Sequence, residues 1–198
     1  MSGSVANFVT TTRNGKNVVR SKAFNIRNAN SAAQLMQRGS FKLVGEEYVS
    51  FGGLIEESFP ERPENQTAYN SFMAENLPEA VSREGEVPVI DYSKLVIAKG
   101  SLSPITGVVA QITPAGISIS YRTNVKIPSV NADDQVVAVA KTVEGELLLE
   151  KQLRTDANVS TLLIDYPGIA AADVKCCYVF VLNAAGTKAS RSVFVPLV

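Results

Sequence analysis

The chain has no histidine and no tryptophan, and only two of its 198 residues are cysteine. Without imidazole the commonest general base, the usual nitrogen ligand for metals and every histidine-dependent nucleophile are excluded. Cys176 and Cys177 are neighbours, a spacing that fits neither a C-x-x-C redox motif nor a zinc site. They lie in an apolar run, Val174 to Leu182, and read as small strand residues kept reduced. No apolar run approaches the ~20 residues of a membrane-crossing helix. The start, Met1-Ser-Gly-Ser-Val-Ala-Asn-Phe8, lacks the charged and apolar regions of a secretory signal. Gly52-Gly53 lacks the Lys-Ser/Thr of a phosphate-binding loop. The expectation is a soluble chain with no membrane contact, no metal and no cofactor, and not an enzyme.

Acidic residues are missing from the front of the chain. The first is Glu46, after Arg13, Lys16, Arg20, Lys22, Arg27, Arg38 and Lys42. Residues 46 to 92 then carry Glu46, Glu47, Glu56, Glu57, Glu61, Glu64, Glu75, Glu79, Glu84, Glu86 and Asp91 against Arg62 and Arg83 alone. The formal net charge is zero, so a neutral chain is split into a positive front and a negative middle. Such segregation bears on partners rather than on fold.

Apolar residues make up 45% of the sequence, enough for a sizeable core. Val5–Arg13 and Lys16–Lys22 flank Asn14-Gly15, a strong signal for a two-residue hairpin turn. That register opposes Arg13 to Lys16, Thr11 to Val18, Val9 to Arg20 and Asn7 to Lys22. Side chains alternate across a strand, so Arg13, Lys16, Arg20 and Lys22 share one face. Phe8, Thr10, Thr12, Asn17 and Val19 occupy the other, expected to face inward. Ser31 with Gln34 forms a capping-box pattern. Leu35, Val44, Tyr48, Phe51, Ile55 and Phe59 follow at near-helical spacing, with glycines that fit one broken helix or two shorter ones. Thr67–Val81 predicts a further helix with Tyr69, Phe72, Met73, Leu77 and Ala80 on its stripe, shortened if Pro78 ends it.

The polar segment Ser82–Pro88 reads as a linker. Beyond it, strands are predicted at Leu95–Lys99, Val108–Thr113, Gly116–Arg122, Gln135–Val143, Leu147–Arg154, Thr161–Asp165, Lys175–Asn183 and Ala189–Leu197. The expected fold is α+β: an N-terminal β-hairpin with helices over 1–87, then an immunoglobulin- or fibronectin-III-like antiparallel β-sandwich over 88–198. The adjacent carboxylates Glu46-Glu47, Glu56-Glu57 and Asp133-Asp134 diverge on any regular element and read as solvated surface charge. Asn65-Gln-Thr67 and Asn158-Val-Ser160 match the glycosylation pattern by chance in a chain without a secretory signal.

The blocks Gly3-Ser-Val-Ala-Asn-Phe-Val9, Asn14-Gly-Lys-Asn-Val-Val-Arg-Ser-Lys22, Ala33-Gln34 with Gln37-Arg38 and Phe41, Gln66-Thr-Ala-Tyr-Asn-Ser-Phe72 with Asn76, Ile90-Asp-Tyr-Ser-Lys-Leu95 and Lys99-Gly-Ser-Leu102 occur in this order. In them the chain resembles a family of uncharacterised proteins of similar length from Bacteroidetes bacteria and the phages that infect them. Ser31-Ala32-Ala33 departs from that family's usual threonine before Ala-Gln. The resemblance implies a non-enzymatic protein and a virion context, and brings no catalytic residues.

With the charge split, these features predict a structural subunit of a tailed-phage particle: a ring, tail-adaptor or capsid-associated protein made in the host cytoplasm. Its expected partners are other copies of itself and neighbouring virion proteins. The contact residues would be Arg13, Lys16, Arg20 and Lys22 on the hairpin and Glu56, Glu57, Glu75 and Glu79 on the helices. The alternatives are a cytoplasmic host module that binds protein through its sandwich loops and a nucleic-acid binder. The acidic segment, which repels a polyanion, and the lack of aromatics among the cations weigh against the latter. A merely solvated basic face is the plainest alternative of all.

Overall fold

The computed structural model of the protein describes residues 3–5, 7–13, 15–22, 30–123, 130–155 and 159–197. Asn14, Arg27 and Asn158, which figure in the sequence reading, lie outside them. The chain divides into two compact units, Met1–Gln34 and Leu35–Val198, and not at the 87/88 boundary read from sequence.

The first unit is a small antiparallel sheet. Strands β1 (Gly3–Val5), β2 (Phe8–Arg13) and β3 (Lys16–Ser21) lie in that order. The β2–β3 register is the expected one, opposing Arg13 to Lys16, Thr11 to Val18 and Val9 to Arg20, with the Lys22 amide donating to the Asn7 carbonyl at 2.6 Å. Gly15 takes φ +73°, which its lack of a Cβ permits. The sequence reading missed β1, which pairs Gly3 with Thr10 and Val5 with Phe8. A three-residue strand is too short to show an alternating pattern. The face expected to turn inward is open: Phe8 is 56% exposed and Val19 62%.

Helix α1 (Ala32–Phe51), most of which belongs to the second unit, starts where Ser31 Oγ accepts the Gln34 amide at 3.3 Å. Gly52, at φ +55°, breaks it before α2 (Leu54–Ser58). Thr67 Oγ1 caps α3 (Ala68–Glu79) by accepting the Asn70 amide at 3.2 Å. Pro78 sits in the last turn and does not shorten the helix. The supposed linker is a hairpin of β4 (Val81–Glu84) and β5 (Val87–Ile90), closed by the Glu84–Val87 pair, with Gly85 at φ +65° as the first turn residue. Its strands are only four residues each, which left turn chemistry as the dominant signal.

Seven further strands follow: β6 (Thr106–Thr113), β7 (Gly116–Arg122), β8 (Gln135–Thr142), β9 (Leu147–Leu153), β10 (Val159–Asp165), β11 (Val174–Leu182) and β12 (Val193–Phe194). They form two antiparallel sheets, ordered β10-β7-β6 and β12-β11-β8-β9. These and the helices confirm the α+β class. The last expected strand, Ala189–Leu197, is mostly irregular, with isolated bridges at Ala189, Ser190 and Leu197 flanking short β12.

Alternation along β8 and β11 sends their side chains into two cores. Val136, Ala138 and Ala140 with Cys177, Val179 and Val181 join Ile117, Ile119 and Leu162 of the other sheet. Val137 and Val139 with Cys176, Tyr178 and Phe180 join Val44, Phe51, Ile55 and Phe72 of the helices. The helices therefore share a core with the β-region, which is why the chain does not divide after residue 87. The two cysteines point into opposite cores, and burial pushes their thiols up to about 11 and about 12, so both are free and unreactive.

The expected strand Leu95–Lys99 is no strand, although residues 95 to 98 are all buried in the helical core. Side chains replace a neighbouring strand as partners of its backbone. Asn76, fully buried on α3, accepts the Val96 amide at 2.7 Å and donates to the Val96 carbonyl at 2.9 Å. Ser192 Oγ accepts the Ile97 amide at 3.0 Å, and Ser58 Oγ donates to the Ile97 carbonyl at 2.5 Å. Asn76→Ala strands both backbone groups of Val96 in the core. It should cost about 2–3 kcal/mol in urea unfolding with an unchanged m-value; a loss below about 0.5 kcal/mol would show that the segment does not depend on this clamp.

Candidate functional site

The basic residues stand where the sequence placed them. Arg13, Lys16, Arg20 and Lys22 are all exposed, on one face of the first unit's sheet by register. The unit that carries them, Met1–Gln34, has no acidic residue, so none of the four has a carboxylate partner within it. Arg13 and Lys16 form one cross-strand rung, so two like charges stand side by side in a unit without a counter-charge.

The acidic candidates are not gathered into one free face. Glu56 accepts the Tyr48 hydroxyl at 2.8 Å and pairs with Arg62 at 3.4 Å. Glu57 pairs with Lys151 of β9 at 3.2 Å. Glu75 is largely covered and held by both Lys99 and Arg191. Burial raises its pKa, and the two cations more than offset that, leaving the carboxyl below its ordinary value. Glu79 alone of the four is exposed with no ion pair among the described residues. Within this acidic stretch Glu47, Glu57 and Glu75 are paired with cations from later in the chain.

Two of the carboxylate pairs read as surface charge are split between surface and interior. Glu46 is exposed and pairs with Lys42 at 3.7 Å, whereas Glu47 is buried beneath α1. Its Oε2 receives Lys141 Nζ of β8 at 2.7 Å, and its Oε1 the Tyr92 hydroxyl at 2.6 Å. Lys141 Nζ also donates to Ser50 Oγ at 2.7 Å and lies 5.3 Å from the centre of the Phe51 ring. Likewise Asp133 is exposed and Asp134 buried, 4.0 Å from the fully buried Arg154. Arg154 spends its donors on the Thr123 and Ser103 carbonyls. Both arrangements tie elements together; the groups of Glu47 and Lys141 are satisfied there, whereas Asp134 Oδ1 is buried without a hydrogen-bond partner.

A more open feature lies at one end of the strands. The β8–β9 turn and the segment between β10 and β11 enclose a cleft of about 390 Å³ lined by Val143, Glu144, Glu146, Tyr166, Ile169 and Asp173, among others. Its walls are tied together: the Val143 amide donates to the Asp173 carbonyl at 2.8 Å, and the Tyr166 hydroxyl to Glu146 Oε2 at 3.2 Å. Asp173 Oδ2 accepts the Ala170 amide at 2.9 Å. That Glu146 bond, the charge of Glu146, burial, and the charges of Glu144 and Asp173 together raise the pKa of Tyr166. Glu144, Glu146 and Asp173 are exposed, with no cation paired to them among the described residues. Sequence reading passed over this cleft because its residues come from two segments some 25 positions apart, each resembling an ordinary turn.

Residues 1–196 match the model of a family described as a family of unknown function, DUF6266. The chain belongs to the DUF6266 family. No curated protein and no solved structure matches it. Within this DUF6266 protein, no group of three or more Cys, Asp or Glu side chains among the described residues is placed to hold a metal. No helix among them is long and apolar enough to cross a membrane.

The Glu47 network makes a pH-dependent prediction. Burial raises the Glu47 pKa, but hydrogen bonds from Lys141 and Tyr92 and the charges of Lys141 and Lys175 outweigh it, so the net shift is downward. A carboxyl lowered on folding contributes stability above its ordinary value of 4.5 and loses it as pH falls through the native value. Glu47→Gln should cost about 3 kcal/mol near neutrality, with the deficit shrinking below about pH 4 as the wild type loses the same contribution. Urea titrations across pH check this; an equal deficit at both ends would show that ionisation of Glu47 is irrelevant.

Proposed function

We propose that this DUF6266 protein is a non-enzymatic structural subunit that assembles with other copies of itself through charge-complementary contacts. The observation carrying the proposal is the exposed Arg13, Lys16, Arg20 and Lys22 face, in a unit that has no acidic residue to balance it. Concentrated like charge on one sheet face is costly alone and is relieved by an acidic partner. A basic surface meeting a different, acidic surface of the next copy makes a heterologous contact, which closes into a ring or continues as a filament. The resemblance to phage-associated proteins gives this its setting: a ring, tail-adaptor or capsid-associated component of a tailed-phage particle, with neighbouring virion proteins as further partners.

We read the two sheets as an immunoglobulin-like sandwich of the fibronectin III kind. Taking β6, β7, β8, β9, β10, β11 and β12 as strands A, B, C, C′, E, F and G gives sheets ABE and GFCC′. One core drawing on both sheets supports the reading. Helices cover one outer face of the sandwich.

The mass of the purified protein in solution, measured at low and high ionic strength, tests the assembly reading. Multimers are expected at low salt, dissociating as salt screens the contact. Replacing Arg13, Lys16, Arg20 and Lys22 together by Ala should leave a folded monomer at both. A wild type that stays monomeric at every salt and concentration refutes the reading; salt-sensitive retention on DNA lost in the same variant would put nucleic acid in place of the partner copy.

A further inference from the structure

Three of the four helical carboxylates that balance the basic sheet on paper are engaged at home, Glu56 with Arg62, Glu57 with Lys151, and Glu75 with Lys99 and Arg191, which leaves Glu79 as a lone charge. The cleft between the β8–β9 turn and the β10–β11 segment differs on that point and in shape. It is concave and about 390 Å³ in volume, and Glu144, Glu146 and Asp173 on its walls are exposed with no ion pair among the described residues. It is more than an acidic cluster. Tyr166 contributes a ring, Val143 is 63% exposed, and Ile169 adds a buried apolar wall. Carboxylates around an aromatic and aliphatic surface suit a guanidinium or ammonium group on an aliphatic stem. The head meets the carboxylates and the ring, and the methylenes lie on the apolar wall.

We propose that this cleft is the seat for the basic sheet of a second copy, with the Arg13–Lys16 rung entering between Glu144, Glu146 and Asp173. This rests on the assembly reading and names the acidic surface that reading leaves open. The occupant is chosen by charge: one chain carries four cations on one sheet face of a unit with no acidic residue and, in its other unit, a concave site whose carboxylates have no ion pair among the described residues. Arg13 and Lys16, directly opposite each other on β2 and β3, present two heads together, as a site with three carboxylates requires. The hydrogen bonds across the walls mean the cleft need not be assembled on binding, which lowers the ordering cost of the contact.

The test uses full-length protein in sedimentation equilibrium at low salt. R13E/K16E removes the sheet's charge and E144K/E146K removes the cleft's. Each alone should weaken self-association at least about tenfold. An equimolar mixture of the two should associate again, because the unchanged sheet of one meets the unchanged cleft of the other and the two reversed surfaces also match, and the fourfold swap R13E/K16E/E144K/E146K should recover self-association. If E144K/E146K does not fold, E144Q/E146Q serves in the same assay with the same expected direction. Loss of assembly in R13E/K16E but wild-type assembly in both cleft variants would overturn this inference while leaving the assembly reading intact. A wild type that never associates would overturn both.

Discussion

Strands β8 and β11 are buried on both faces, and the remaining architecture follows from that. A strand with one wet face tolerates polar residues at every second position; these two cannot, and from Val136 to Ala140 and from Cys176 to Leu182 nearly every side chain is apolar and buried. Their mutual register fixes which residues meet the helices and which meet the opposite sheet. A slip of one residue would exchange the two sets. Lys141 makes that exchange expensive. In the native register it faces α1 and receives Glu47; one step over it would enter the core of Ile117, Ile119 and Leu162, which offers no carboxylate.

The same constraint explains the behaviour of the helices. α1 carries Gly39 and Gly45 within it and has little intrinsic amphipathic order, and α2 has only five residues. Such segments hold helical form through packing rather than propensity. Here the packing surface is the outer face of β8 and β11, tied in by Glu47 to Lys141 and by the Tyr178 hydroxyl to the Tyr92 carbonyl at 2.7 Å, while Ser58 to Ile97 and Asn76 to Val96 fix the extended segment against the helices. Each tie satisfies groups that no regular element would otherwise satisfy.

Legibility from sequence tracked how local the decisive interaction was. Gly116–Arg122 was read to the residue because both ends are turns and the alternation between them is regular. The β2–β3 register was readable from Asn14-Gly15, since a two-residue turn sets every pair that follows. Leu95–Lys99 was misread because an extended buried segment and a strand share an apolar signature, and the distinction lies in Asn76, some 20 positions away. Glu47 carried a signal that went unused: it lies on the helical stripe of Met36, Val44 and Phe51, just as Lys141 continues the alternation of Val137 and Val139. Opposite charges each at an apolar-facing position of separate elements are a candidate buried pair. Adjacency to Glu46 hid this, because neighbouring acids were judged together although a helix sends them in different directions.

The charge split illustrates why a run of like charge and a surface of like charge are different objects. Along the chain the middle third is strongly acidic, yet Glu47 is buried and Glu56, Glu57 and Glu75 are matched by Arg62, Lys151, Lys99 and Arg191, three of them from beyond residue 92. Folding therefore consumes part of the negative segment, while the cations of the first unit's sheet lie in a unit that has no acidic residue of its own. Since the whole chain is neutral, the matching negative charge must remain elsewhere on its surface. The β8–β9 turn and the β10–β11 segment are where three carboxylates remain around a concave wall, and neither segment belongs to the stretch that looked acidic in sequence. Available charge is a property of what folding leaves unpaired, and only the fold decides that.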